Sequence, residues 1–124
     1  MSRMKKALVV DDAESNRLVI GAMVSEFGIG VIYAEDGNEA VNKFAAARPE
    51  IVFIDQIMPE MNGSDAIKQM KLIARDIPIV LMSSLVNPDE IREIVRTCGA
   101  DEFLPKPISY HTITDTLKKF RIID

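Results

Sequence analysis

The sequence predicts an α/β domain of five βα units around one parallel sheet, and three observations carry that prediction. Short β-branched runs alternate with longer segments of helical period, and the alternation repeats five times. The runs are nearly continuous in apolar residues, as expected of parallel strands covered on both faces. No low-complexity linker separates the units, and 124 residues with 48% hydrophobic content suit a single domain with a core between layers.

The elements follow in order. Ala7 to Val10 reads as the first strand, cut off by Asp11 and Asp12. The first helix carries Ile20, Val24 and Phe27 at helical spacing and stops near Gly28, where a left-handed residue is needed. Val31 to Ala34 is the second strand. Asp36-Gly37-Asn38-Glu39 sets a capping side chain three residues before a Glu and opens a shorter helix with Ala40, Val41 and Phe44. Ile51 to Ile54 is the third strand, closed by Asp55, and Ala66, Met70 and Ile73 stripe the third helix. Ile79 to Met82 is the fourth strand. Asn87-Pro88-Asp89-Glu90 repeats the start signal with Pro at the first helical position, and the helix through Ile91, Val95 and Cys98 ends at Gly99. Glu102 to Leu104 is the fifth strand, and the last helix carries Ile113, Leu117 and Phe120. Right-handed βα units of this kind make an open sheet with helices on both faces, and analogy with flavodoxin-like domains supplies the strand order 2-1-3-4-5.

Composition removes several function classes. A net charge of -4 and a pI near 5.0 leave no basic stripe to track a phosphate backbone, so direct nucleic-acid binding is not expected. Met1 to Lys6 is basic, but the apolar run behind it is too short for a signal-peptide core. No stretch approaches the roughly 18 apolar residues that span a bilayer, so a cytoplasmic protein without membrane contact is expected. The single cysteine, Cys98, cannot form an internal disulfide and reads as a small core residue.

In open parallel sheets the active crevice lies outside the carboxyl ends of the strands. Here those ends carry Asp11-Asp12, Asp55, Ser83-Ser84 and Lys106-Pro107. Converging carboxylates repel one another, which favours either a raised pKa or a bound cation. Mg²⁺ suits such oxygen ligands and keeps open positions for phosphate oxygens. A carboxylate such as Asp55 can then act as a nucleophile and form an acyl phosphate, with Lys106 neutralising charge on the transferring oxygens. Taken singly, Asp12 also reads as a helix cap, a strand-end serine as a turn residue and Lys106 as a surface charge. Asp55 is different, because an acid closing the apolar run Ile51-Val52-Phe53-Ile54 gains nothing by packing there.

These segments together resemble the receiver domain of two-component response regulators, over essentially the whole chain, 1–124. The resemblance rests on Leu8-Val9-Val10-Asp11-Asp12, Ile54-Asp55-Gln56-Ile57-Met58-Pro59-Glu60-Met61-Asn62-Gly63, Ile79-Val80-Leu81-Met82-Ser83-Ser84 and Gly99-Ala100-Asp101-Glu102-Phe103-Leu104-Pro105-Lys106-Pro107. It implies that Asp55 takes a phosphoryl group from a sensor histidine kinase or histidine phosphotransfer protein. It further implies that Asp12 and Asp55 ligate Mg²⁺ directly, that Ile57 lends its backbone carbonyl, and that Asp11 acts through water. Ser83 matches the hydroxyl switch residue, Lys106 the phosphate-pairing lysine and Phe103 the switch aromatic. Ser84 is a secondary candidate, because neighbouring strand residues point to opposite faces. The Lys106-Pro107 bond is similar to one that is cis in the family.

The resemblance also implies a downstream protein target on the surface of helix four, strand five and helix five, where Arg92, Arg96, Lys118 and Lys119 are contact candidates. A monomer or a phosphorylation-dependent dimer fits this reading. The first helix, with Ser15, Asn16, Leu18 and Val19, matches the docking region for the histidine-bearing partner. His111, in the first turn of the last helix, reads as a surface histidine, and Met58 and Met61 as packing or loop residues. No output domain follows the last helix in this sequence.

Two departures stand out. Ile57 and Leu85 are apolar where rapidly dephosphorylating members carry acid or amide groups, so a long-lived phosphoryl group is expected. Gln56 is polar where the family usually has an apolar residue, and nothing in the sequence explains it. Competing readings are a receiver-like interaction module that works without phosphorylation and a phosphohydrolase with an aspartyl-phosphate intermediate. The hydrolase reading requires a second Asp two residues after the nucleophile, where this chain has Ile57.

Overall fold

Residues 4–124 are described by a computed structural model. Alternating strands and helices run β1 (Lys6–Val10), α1 (Glu14–Ser25), β2 (Gly30–Ala34), α2 (Gly37–Ala47), β3 (Ile51–Asp55), α3 (Gly63–Ile73), β4 (Ile79–Ser83), α4 (Pro88–Cys98), β5 (Glu102–Pro105) and α5 (Tyr110–Lys119). All pairings are parallel and the sheet order is β2-β1-β3-β4-β5, as expected.

The period of two along each strand divides the apolar residues between the two faces. Leu8, Val10, Val52, Ile54, Ile79 and Leu81 join Phe44 of α2, Ile67 and Met70 of α3 and Cys98 of α4 in one core. Ala7, Val9, Ile51, Phe53, Val80 and Met82 join Ile20 and Val24 of α1 and Ile113 and Leu117 of α5 in the other. Phe44 and Phe53 are fully buried, and each such side chain stabilises the fold by ~1.5–3 kcal/mol. Cys98 lies in the first core, where burial pushes its thiol pKa up and leaves it an unreactive packing residue.

The helix signals act with small shifts. Asp36 accepts the Glu39 backbone N–H at 2.8 Å, while the Glu39 carboxylate reaches back to the N–H of Glu35, one residue earlier than in a capping box. Asn87 accepts from Asp89 and Glu90, with Pro88 opening α4. Gly99 ends α4 at φ 85, and Gly28 sits at φ 75 in the turn after α1. Phe27 and Phe120 fall just past their helices and pack as half-buried turn residues. Met58 is buried in the first core and Met61 packs against it.

Candidate functional site

The carboxyl ends of the central strands are laced by backbone hydrogen bonds. Asp11 N–H donates to Ala34 O, Gln56 N–H to Met82 O at 2.9 Å, and Lys106 N–H to Ser83 O at 2.9 Å. β1, β3, β4 and β5 therefore deliver their terminal side chains to a single edge, as open parallel sheets do.

Asp11, Asp12 and Asp55 each bring a carboxylate oxygen to within 4.8 Å of the others. Asp11 and Asp55 are buried, whereas Asp12 is exposed. Asp12 is not a helix cap: Ala13 occupies the cap position of α1 and makes no side-chain cap bond. Asp11 is held by protein donors on both oxygens, Oδ1 by Ala13 N–H at 2.9 Å and Oδ2 by Lys106 Nζ at 3.0 Å. Its backbone oxygen accepts from the Arg17 guanidinium at 2.7 Å.

Lys106 also stands 3.1 Å from Asp55 Oδ1, and the Lys106–Pro107 peptide bond is cis. Burial raises the Asp55 pKa, Lys106 partly offsets this, and the charges of Asp11 and Asp12 add to the rise. Burial pulls the lysine down, but its hydrogen bond to Asp11 and the attraction of Asp55 outweigh that, and its pKa ends above the usual value. An all-oxygen donor set beside a single ammonium, closer together than like charges prefer, fits a hard divalent cation.

The remaining candidates take different positions. Ser83 is buried at the end of β4, and its hydroxyl accepts the Leu85 N–H at 3.1 Å. Ser84 falls just past the end of β4 and is exposed. Phe103 is half-buried and, like Ile94, packs against the core that contains Cys98. The Ile57 side chain is 61% exposed. Among the surface candidates, Arg92 is paired with Asp89, Arg96 with Glu93 and Lys119 with Glu102. His111 is exposed and lies 3.2 Å from Asp115.

Gln56 has a structural role that sequence reasoning did not find. Its buried side chain exchanges hydrogen bonds with Ser64, accepting from the backbone N–H at 2.7 Å and donating to Oγ at 3.0 Å. A polar residue beside a capping-type segment was the only signal available. Gly63 is a second such residue: a Cβ there would meet the backbone oxygen of Asp55 at 2.3 Å, so only glycine lets α3 start this close to β3.

Among the described residues no helix is long and apolar enough to cross a membrane. Residues 7–118 match the family described as the response regulator receiver domain. The chain is 34% identical over 116 residues to the chemotaxis protein CheY of Thermotoga maritima, covering 93% of this chain and 96% of that protein. It is 36% identical over 124 residues to the two-component response regulator ORR41 of Oryza sativa subsp. japonica, covering 97% of each. The solved structure of CheY4 of Vibrio cholerae superposes with a TM-score of 0.88 at 29% identity, covering 95% of this chain and 99% of that one.

Proposed function

Because the chain belongs to the response regulator receiver family, we propose that Asp55 is its phosphoryl acceptor, served by the carboxylates and ammonium that converge on it. The observation that carries this reading is Lys106 Nζ between the buried acids, 3.0 Å from Asp11 and 3.1 Å from Asp55. The phosphoryl donor is the phosphohistidine of a sensor kinase or phosphotransfer protein. An Asp55 carboxylate oxygen attacks phosphorus and the P–N bond breaks. The imidazole leaves with the electron pair and recovers a proton.

Asp12 and Asp55, with the Ile57 backbone carbonyl and Asp11 through water, would hold Mg²⁺. When bound, the ion supplies positive charge to the transferring oxygens. Lys106, kept charged by its acid neighbours, pairs with a phosphoryl oxygen once Asp55 is modified. The Ser83 hydroxyl, now accepting from Leu85, turns to donate to the same group, and Ser84 stays outside it. Phe103 follows the vacated space and alters the surface of α4, β5 and α5, where a downstream protein binds and a phosphorylation-dependent dimer could form. The domain is a cytoplasmic switch that assists its own phosphorylation and dephosphorylation, not an enzyme turning over a separate substrate.

Incubation with Mg²⁺ and acetyl phosphate, followed by intact-mass analysis, tests the assignment. Wild type gains one phosphoryl group and Asp55→Asn gains none. Equal modification of the variant would overturn the assignment.

A further inference from the structure

Gln56 follows Asp55 directly, and its contacts all run to the elements that frame the site. Its backbone N–H donates to Met82 O of β4, and its backbone oxygen accepts from Gly63 N–H of α3, both at 2.9 Å. Its side-chain amide exchanges the two hydrogen bonds with Ser64. Ser64 is the second residue of α3, and its N–H is one of those that an N-cap side chain normally satisfies. Asn62 occupies the N-cap and is a favoured capping type, yet it makes no side-chain cap bond. The cap of α3 therefore comes from the strand end beside Asp55, not from the helix's own flank.

This arrangement closes the loop of residues 57–62 at its base. The returning leg runs over the acceptor's own peptide group, as the 2.3 Å approach of a Gly63 Cβ to Asp55 O demonstrates. Met58 is buried within the loop and Glu60 adopts φ 67, so the loop holds a defined path. An apolar residue at 56 could fill the same volume and would keep the backbone bond to Gly63, but it would lose both side-chain bonds that pin Ser64 and the first turn of α3. Hydrogen bonds are directional to a few tenths of an ångström, and no buried side-chain polar atom among the described residues lacks a partner.

We propose that Gln56 is a positioning residue: its buried amide, paired with Ser64, closes the 57–62 loop onto β3 and holds the Ile57 carbonyl in register with the Asp12 and Asp55 carboxylates for a divalent cation. The inference rests on the cation reading of the site given above. It explains why a residue with no route to the phosphoryl group is buried and polar beside the acceptor. Groups that orient metal ligands act in this way without touching the metal.

The test uses the full chain, with Mg²⁺ affinity measured by calorimetry, and Ser64 amide exchange and urea unfolding measured in chelator. Gln56→Met keeps the length of the side chain, and it weakens Mg²⁺ binding by about tenfold and lowers protection of the Ser64 amide. Ser64→Thr keeps the hydroxyl and binds Mg²⁺ like wild type. A folded Gln56→Met protein with wild-type affinity overturns the proposal, because a purely structural role would change the urea midpoint alone. If Gln56→Met does not fold, Ser64→Ala decides: it removes one bond of the pair and is expected to lose about threefold in affinity, and no loss overturns the proposal. Wild type that binds no Mg²⁺ overturns the cation reading and this inference together, whereas wild type that binds with unaffected variants overturns this inference alone.

Discussion

Lys106 Nζ stands 3.1 Å from Asp55 Oδ1 at the carboxyl edge of the sheet, yet the lysine does not fully compensate for burial of the acid. The Asp55 pKa is raised, first by burial and further by Asp11 and Asp12. A carboxyl whose folded pKa is raised contributes stability that is complete below its unfolded pKa and lost as pH climbs through the folded value. The ordinary value is 3.8, so the loss falls above that pH. In metal-free buffer Asp55→Asn should melt a few degrees above wild type at pH 7. The gap should close toward pH 4, and a thermal-melt series against pH in chelator checks it. A variant less stable than wild type at pH 7 would contradict the electrostatic account.

Mg²⁺ should stabilise the wild-type protein. At about 100 times its dissociation constant the ion adds about 2.7 kcal/mol to the unfolding free energy. Asp12 is exposed and makes no cap, so Asp12→Asn should leave metal-free stability nearly unchanged while abolishing most of the Mg²⁺-dependent rise. Urea unfolding with and without the ion separates the two effects.

Gly63→Ala should be far more disruptive than its size suggests. Its Cβ would fall 2.3 Å from Asp55 O, so the start of α3 has to move away from the strand. A cost of about 1–3 kcal/mol in urea unfolding is expected, with Mg²⁺ stabilisation lost alongside it. Gly99→Ala makes a useful control. There φ is 85 but the nearest contact is 3.7 Å, so stability drops while Mg²⁺ binding stays.

Once phosphorylated, the protein should hold its phosphoryl group well beyond seconds in Mg²⁺ buffer. Ile57 is exposed and apolar, and Leu85 is half-buried, so neither places an attacking water. Ile57→Asn should shorten the lifetime, as followed by the decay of the phosphorylated mass. Release within seconds from wild type rules out this expectation.

Much of the fold was legible because parallel strands buried on both faces must be apolar throughout, and helices beside them must be apolar at helical spacing. Every strand run in the sequence became a strand, each with one further residue. The caps at Asp36 and Asn87 were readable because capping is local chemistry. The acids and the lysine at the strand ends were readable for a similar reason, since a charged residue closing an apolar run has no packing role.

Other features depended on distance between segments far apart in the chain. The polarity of Gln56 acquired a reason only when α3 brought Ser64 against the end of β3. The sequence by itself determined the layering, the strand ends and the identity of the acids, since periodicity and residue type are properties of single segments. Only the tertiary structure decided that Lys106 bridges Asp11 and Asp55, and that Gln56 caps a helix to which it is not adjacent. Hydrogen bonds and ion pairs act over a few ångströms, and folding alone brings residues 95 positions apart, as Asp11 and Lys106 are, to that separation.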